Sequence, residues 1–142
     1  MSGTTGCPED VKEGLGLVQV YTGNGKGKTT CALGLAFRAV GCGLNVIMIQ
    51  FLKPDGGYGE HISASRMEGF EILPMGADHM DEKVPLERDL ELTRAAMAKA
   101  REVLTSGEYD LVILDEINNS LKFNHVTPQE VIDLLDSRAP HT

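Results

Sequence analysis

The sequence predicts one α/β domain built on a mostly parallel sheet. Three observations carry that reading. Apolar runs of strand length alternate with helix-patterned segments along the chain. Those runs are nearly continuous in apolar residues, as strands covered on both faces are. The length, 142 residues, allows one real core but not two. Composition agrees, with 42% hydrophobic and 24% charged residues, the balance of an ordinary globular chain.

Taken in order, residues 1–14 are rich in Gly, Thr and acidic side chains and lack periodicity, which predicts a flexible lead. The domain then runs over 15–142. "LGLVQVY" (15–21) is the first strand. "KTTCALGLAFRAV" (28–40) is a helix that is apolar almost all round, a pattern that calls for deep packing. A glycine inside a helix costs about 1 kcal/mol against alanine, so Gly34 predicts close packing there, and Cys31 reads as a small buried hydrophobe. Gly41 and Gly43 end the helix.

"NVIMIQF" (45–51) is the second strand and "KPDGGYGE" (53–60) a turn-rich loop. "EHISASRM" is weakly helical, "FEIL" (70–73) a short third strand, and 74–84 irregular. The clearest helix is 85–104, with Leu86, Leu90, Met97 and Leu104 on one stripe, Ala100 between them, and Pro85 at the first position. "LVILDE" (111–116) is the fourth strand. The last helix spans 127–138, opened by a capping box of Thr127 and Glu130 with Pro128 at its first position.

The formal charge is 13 − 21 = −8. A broad acidic surface repels nucleic acid and anionic membranes, which excludes them as general partners. No apolar run reaches membrane-spanning length and no signal-peptide pattern is evident, so the expected setting is cytoplasmic. The three cysteines and four histidines show no metal-ligand spacing.

One local basic segment stands out against this charge. "TGNGKGKTT" (22–30) falls between a strand and a helix, the context of a phosphate-binding P-loop. Glycines let backbone N–H groups point inward at an anion, and the helix start adds its dipole. Gly23, Asn24, Gly25, Lys26, Gly27, Lys28, Thr29 and Thr30 are the candidate ATP-binding residues. The Lys28 ammonium suits the terminal phosphates and the Thr29 hydroxyl suits Mg²⁺. The loop is one residue shorter than the general form, because only Asn24, Gly25 and Lys26 separate Gly23 from the Gly27–Lys28 pair. In "LVILDEIN", four apolar residues lead to Asp115 and Glu116, candidate metal-binding carboxylates at a strand end. The expected fold is therefore a P-loop NTPase-like (RecA-like) three-layer domain. Gln50 at a strand end, and Lys53 and Glu60 flanking a glycine loop, are candidate substrate or loop contacts.

"GNGKGKTT", "RAVG", "QFLK" and "LDEIN", in that order and spacing, resemble the P-loop branch of the ATP:corrinoid adenosyltransferases. The resemblance runs from about Leu17 to Thr142 and is weakest over 61–84. It implies that cobalt(I) of a corrinoid attacks the 5′ carbon of ATP and inorganic triphosphate leaves. The short loop is a feature of that branch. The resemblance further implies Lys28 and Glu116 as catalytic residues, Thr29 and Glu116 as Mg²⁺ ligands supported by Asp115, and Arg38 as a nucleotide contact. It also implies a homodimer and a flavin-dependent reductase as partner. Two departures stand out. The stretch "LPMGADHMDEK" lacks the aromatic residues common near the corrinoid, and Asn119 stands where a tyrosine is frequent. The family pattern normally continues past "RAPHT", so the chain is expected to be a C-terminally shortened form. A P-loop ATPase or phosphotransferase, and a nucleotide-binding module without turnover, are the alternative readings.

Overall fold

The computed structural model describes residues 11–77 and 86–142. After a 3-10 turn at Val11–Gly14 come helix α1 (Lys28–Gly41), strand β1 (Val46–Gln50), α2 (Gly59–Ala64), β2 (Phe70–Pro74), α3 (Leu86–Ser106), β3 (Leu111–Asp115), α4 (Ile117–Lys122) and α5 (Pro128–Asp136). The three strands form one parallel sheet in the order β2-β1-β3. Val46 stands opposite Phe70 and Leu111, and Gln50 opposite Pro74 and Asp115, so all three strands end together at one edge.

β1 is the centre of the molecule, with every one of its residues buried. Successive strand side chains point to opposite faces, so Ile47, Ile49 and, just beyond the strand, Phe51 share one side. There they join Ala96, Ala100, Val103 and Leu104 of α3 and Leu134 of α5 in the core. The alanines of α3 let its backbone approach the sheet closely. α1 packs against β1 and β3. At α5 the Thr127 hydroxyl accepts from the Glu130 N–H at 3.2 Å, while the Glu130 carboxylate accepts from the Thr127 N–H at 2.7 Å. The capping box is thus formed as its sequence predicts.

The α/β class and the parallel sheet agree with the sequence, but the sheet has three strands among the described residues. The segment 15–21 has no ladder pairing, and Leu17, Val18 and Val20 are 76%, 47% and 73% exposed. It is tethered near its two ends by side chains. Arg138 Nη2 donates to the Gly16 carbonyl at 2.8 Å, and Asn118 Nδ2 donates to the Tyr21 carbonyl at 3.0 Å. An apolar run is a strand only when a neighbour completes its hydrogen bonds, and among the described residues none does.

The same lack of cover leaves α1 shallow: Ala36 is its one buried residue, and Phe37 is 67% exposed. Gly34 has nothing within 4 Å of the space its Cβ would fill, and Cys31 is exposed. The expectations of deep packing around both residues are thereby corrected. In α3 the buried stripe is Thr93, Ala96, Ala100, Val103 and Leu104, while Leu86 lies exposed in the first turn. Pro85, and most of the flexible lead and of the irregular stretch 74–84, lie outside the described residues. Sequence reasoning missed α4, whose "INNSLK" combines weak helix formers with no capping signal.

Candidate nucleotide site

The loop before α1 owes its shape to a run of left-handed residues: Gly23 (φ 110°), Gly25 (64°), Lys26 (69°) and Gly27 (69°). Three of the four are glycines, which adopt this conformation freely. Lys26 does so against the Cβ penalty of an L-residue. Gly27 caps α1 without a side chain, and Cys31 N–H bonds to the Gly27 carbonyl at 2.8 Å. The N–H groups of the first turn are left without helical partners, so they point out of the helix end toward the loop. Lys28 Nζ folds back into the loop, donating to the carbonyls of Gly23 at 2.6 Å and Gly25 at 3.3 Å. The lysine is therefore already inside the cradle, held by weak carbonyl partners that a phosphate would outcompete.

Opposite the loop, the C-terminal edge of the sheet presents Asp115, which is 8% exposed. Three elements converge on it. Thr29 of α1 donates from Oγ1 to Asp115 Oδ1 at 3.0 Å. Gln50 of β1 donates from Nε2 to Oδ2 at 3.1 Å, a direct result of the register that sets the two residues side by side. Lys53 Nζ reaches the same Oδ2 at 3.1 Å and Glu60 Oε1 at 3.4 Å.

Burial alone would favour the neutral form of Lys53. The hydrogen bonds and charges of Asp115 and Glu60 outweigh it, and the net shift is upward. Glu60 shows the mirror case. Burial pushes its carboxyl up, but a backbone N–H, Lys53 and Gln50 hold it below its ordinary value.

Two supporting features had no sequence signal strong enough to find them. His61 Nε2 lies 2.7 Å from Gln50 Oε1. Because the Gln50 amide nitrogen faces a carboxylate, its oxygen faces His61, which must be the donor at Nε2. Tyr58 meets the His61 ring edge-on at 5.4 Å between centroids. Gly76 is the second feature. A Cβ there would lie 2.3–2.5 Å from the backbone of Leu52 and Lys53, and its N–H donates to the Lys53 carbonyl at 2.9 Å. Only glycine permits this approach, which fixes the main chain that carries Lys53.

The remaining candidates are placed as follows. Glu116 follows Asp115 in the left-handed conformation (φ 67°) and begins α4. Its carboxylate accepts from Asn119 Nδ2, and its carbonyl from the Asn119 and Ser120 N–H groups. The carboxylate joined to Thr29 is thus that of Asp115, with Glu116 held beside it by Asn119. Asn24, Lys26 and Thr30 are exposed along the loop and the start of α1. Arg38 is exposed in the last turn of α1, about 15 Å along the axis from Lys28 at 1.5 Å per residue, and is not brought to the cradle. Among the described residues no group of three His, Cys, Asp or Glu side chains is arranged to hold a metal, and no helix is long and apolar enough to cross a membrane.

A glycine-lined loop entering a helix, facing a carboxylate at the end of a parallel strand, is the architecture of the P-loop class. Within that class, the chain belongs to the family described as ATP:corrinoid adenosyltransferase BtuR/CobO/CobP, whose model matches residues 14–142. It is 35% identical to the corrinoid adenosyltransferase CobA of Salmonella typhimurium over 130 residues, covering 92% of this chain and 66% of that protein. It is likewise 35% identical to the corrinoid adenosyltransferase of Escherichia coli over 126 residues, or 89% of this chain and 63% of the other. Identity to the Pseudomonas aeruginosa enzyme of the same name is 33% over 124 residues, covering 87% and 61%. The chain thus spans less than two thirds of the E. coli and P. aeruginosa proteins and just under that share of the Salmonella one.

Proposed function

We propose that this protein transfers the 5′-deoxyadenosyl group of ATP to the cobalt(I) of a corrinoid, releasing inorganic triphosphate. The observation that carries the proposal is the Thr29–Asp115 hydrogen bond of 3.0 Å, which joins the P-loop helix to the end of β3 across 86 residues of sequence in a chain of this family. In the reaction the cobalt(I) electron pair forms the cobalt–carbon bond. The bond between the 5′ carbon and oxygen breaks, and its electrons leave on the triphosphate.

The chain's own work is to hold that leaving group. Lys28 and the N–H groups at the start of α1 bind the triphosphate and stabilise the charge that grows on it. Gly23, Asn24, Gly25, Lys26, Gly27 and Thr30 shape the cradle around it. The Thr29 hydroxyl and the Asp115 carboxylate are hard oxygen donors at hydrogen-bonding distance, a pair that fits Mg²⁺. They would hold it together with Glu116, and bound Mg²⁺ supplies further neutralisation of the triphosphate. Lys53 reaches Asp115 from the 53–60 loop, and the exposed Tyr58 and Ile62 near that loop offer a face to the corrinoid. A homodimer, a flavin-dependent reductase as electron donor and a cytoplasmic setting belong to the same proposal and rest on family resemblance.

Anaerobic incubation with ATP, Mg²⁺ and cob(I)alamin tests the reading. The adenosylcobalamin spectrum and triphosphate are the expected products. ADP as the only product would replace the proposal with phosphoryl transfer, and ATP binding without product would leave a binding module.

A further inference from the structure

Asp115 is nearly buried, and a buried carboxylate needs a positive partner. On the reading above, that partner arrives with the nucleotide as a divalent cation, yet the protein must also be stable without it. Lys53 meets the need, with its ammonium on Asp115 Oδ2 at 3.1 Å. Three further observations say that this side chain is built to leave. Its main chain is pinned, since Gly76 packs against the Leu52–Lys53 backbone and donates to the Lys53 carbonyl, so only the flexible side chain is free to move. A second resting place is within reach, because Glu60 Oε1 lies 3.4 Å from the same nitrogen. Asp115 also keeps its orientation without Lys53, since Thr29 fixes one oxygen and Gln50, itself oriented by His61, fixes the other.

We propose that Lys53 is a stand-in cation. It neutralises Asp115 in the empty site and is displaced toward Glu60 when the nucleotide's divalent cation binds. Lys53 is thus a positioning residue that keeps the site assembled between turnovers and sets a threshold for metal entry. The inference rests on the assignment of Asp115 to the metal.

The test uses Mn²⁺ alone as a paramagnetic probe, titrated into the full chain without ATP or corrinoid. Removing the competitor in Lys53→Met should tighten Mn²⁺ binding at least tenfold, whereas Lys53→Arg should stay near wild type. Adding Asp115→Asn to Lys53→Met should abolish the gain. Unchanged or weaker Mn²⁺ binding by a Lys53→Met protein of native circular dichroism overturns the proposal, as does a gain that survives Asp115→Asn. Amine acetylation of the wild-type protein, read by mass spectrometry, covers the case in which Lys53→Met does not fold. Saturating Mn²⁺ should change the reactivity of Lys53 severalfold, and an unchanged rate overturns the proposal. Because neither measurement contains ATP or corrinoid, failure of adenosyl transfer would leave both results standing.

Discussion

The run at 15–21 and the strand at Val46–Gln50 are chemically alike. Each is a short apolar segment with a glutamine, "LGLVQVY" and "VIMIQ". Their fates are opposite. In β1 every residue is buried, between β2 on one side and β3 on the other. In 15–21 the large apolar side chains stand in solvent, and the backbone is tied by two side chains instead of a ladder. Apolar content nominates a strand, and ladder partners on its flanks decide whether it becomes one.

The comparison can be broken most sharply by truncating one residue in each segment. Ile49→Ala in the core should cost about 2–5 kcal/mol of unfolding free energy, as large-to-small core changes do. Val20→Ala, at a side chain 73% exposed, should stay within about 0.5 kcal/mol. Urea denaturation of the two variants measures both. A Val20→Ala cost approaching that of Ile49→Ala would mean that 15–21 is covered in solution.

The next largest effect is at Gly34, on the α1 face that a buried first strand would have helped to cover. With open space at its Cβ position, Gly34→Ala should raise stability by up to about 1 kcal/mol through helix propensity. A loss in the same denaturation series would show that something packs there.

The smallest effect sharpens the paired side of the sheet. Tyr109, just before β3, donates to Glu71 Oε2 of β2 at 3.0 Å. Burial, then the hydrogen bond and charge of Glu71, push its phenol from 10 up to about 12. A raised folded value means that the stabilisation is fully present below pH 10 and is lost as pH rises toward 12. Stability measured between pH 9 and 11.5 should therefore fall less steeply in Tyr109→Phe than in wild type.

Much of the fold and of the candidate site was legible because the signals are local. The capping box of Thr127 and Glu130, the glycine loop before Lys28 and the apolar run into Asp115 each lie within a few residues of sequence. The network behind Asp115 was not legible, because it depends on register. Gln50 meets Asp115 only because β1 and β3 pair as they do, and His61 meets Gln50 only after α2 folds back beside the strand end. The close approach of Gly76 to Lys53 is likewise a contact between two loops, and a lone glycine in sequence does not announce it.

Among the described residues, the non-glycine positions with positive φ are Lys26, Glu116 and Asn124, and two of the three flank the candidate nucleotide site. A left-handed L-residue stores roughly 1 kcal/mol or more of unfavourable backbone energy. Directed evolution for heat tolerance would therefore sample glycine at 26 and 116, which relieves this energy, although at 116 it also gives up the hydrogen bond from Asn119. Those substitutions would strip a charge from the cradle and a carboxylate from beside Asp115. A thermostability campaign on this protein should hold both positions fixed, or screen every round for ligand binding as well as melting temperature.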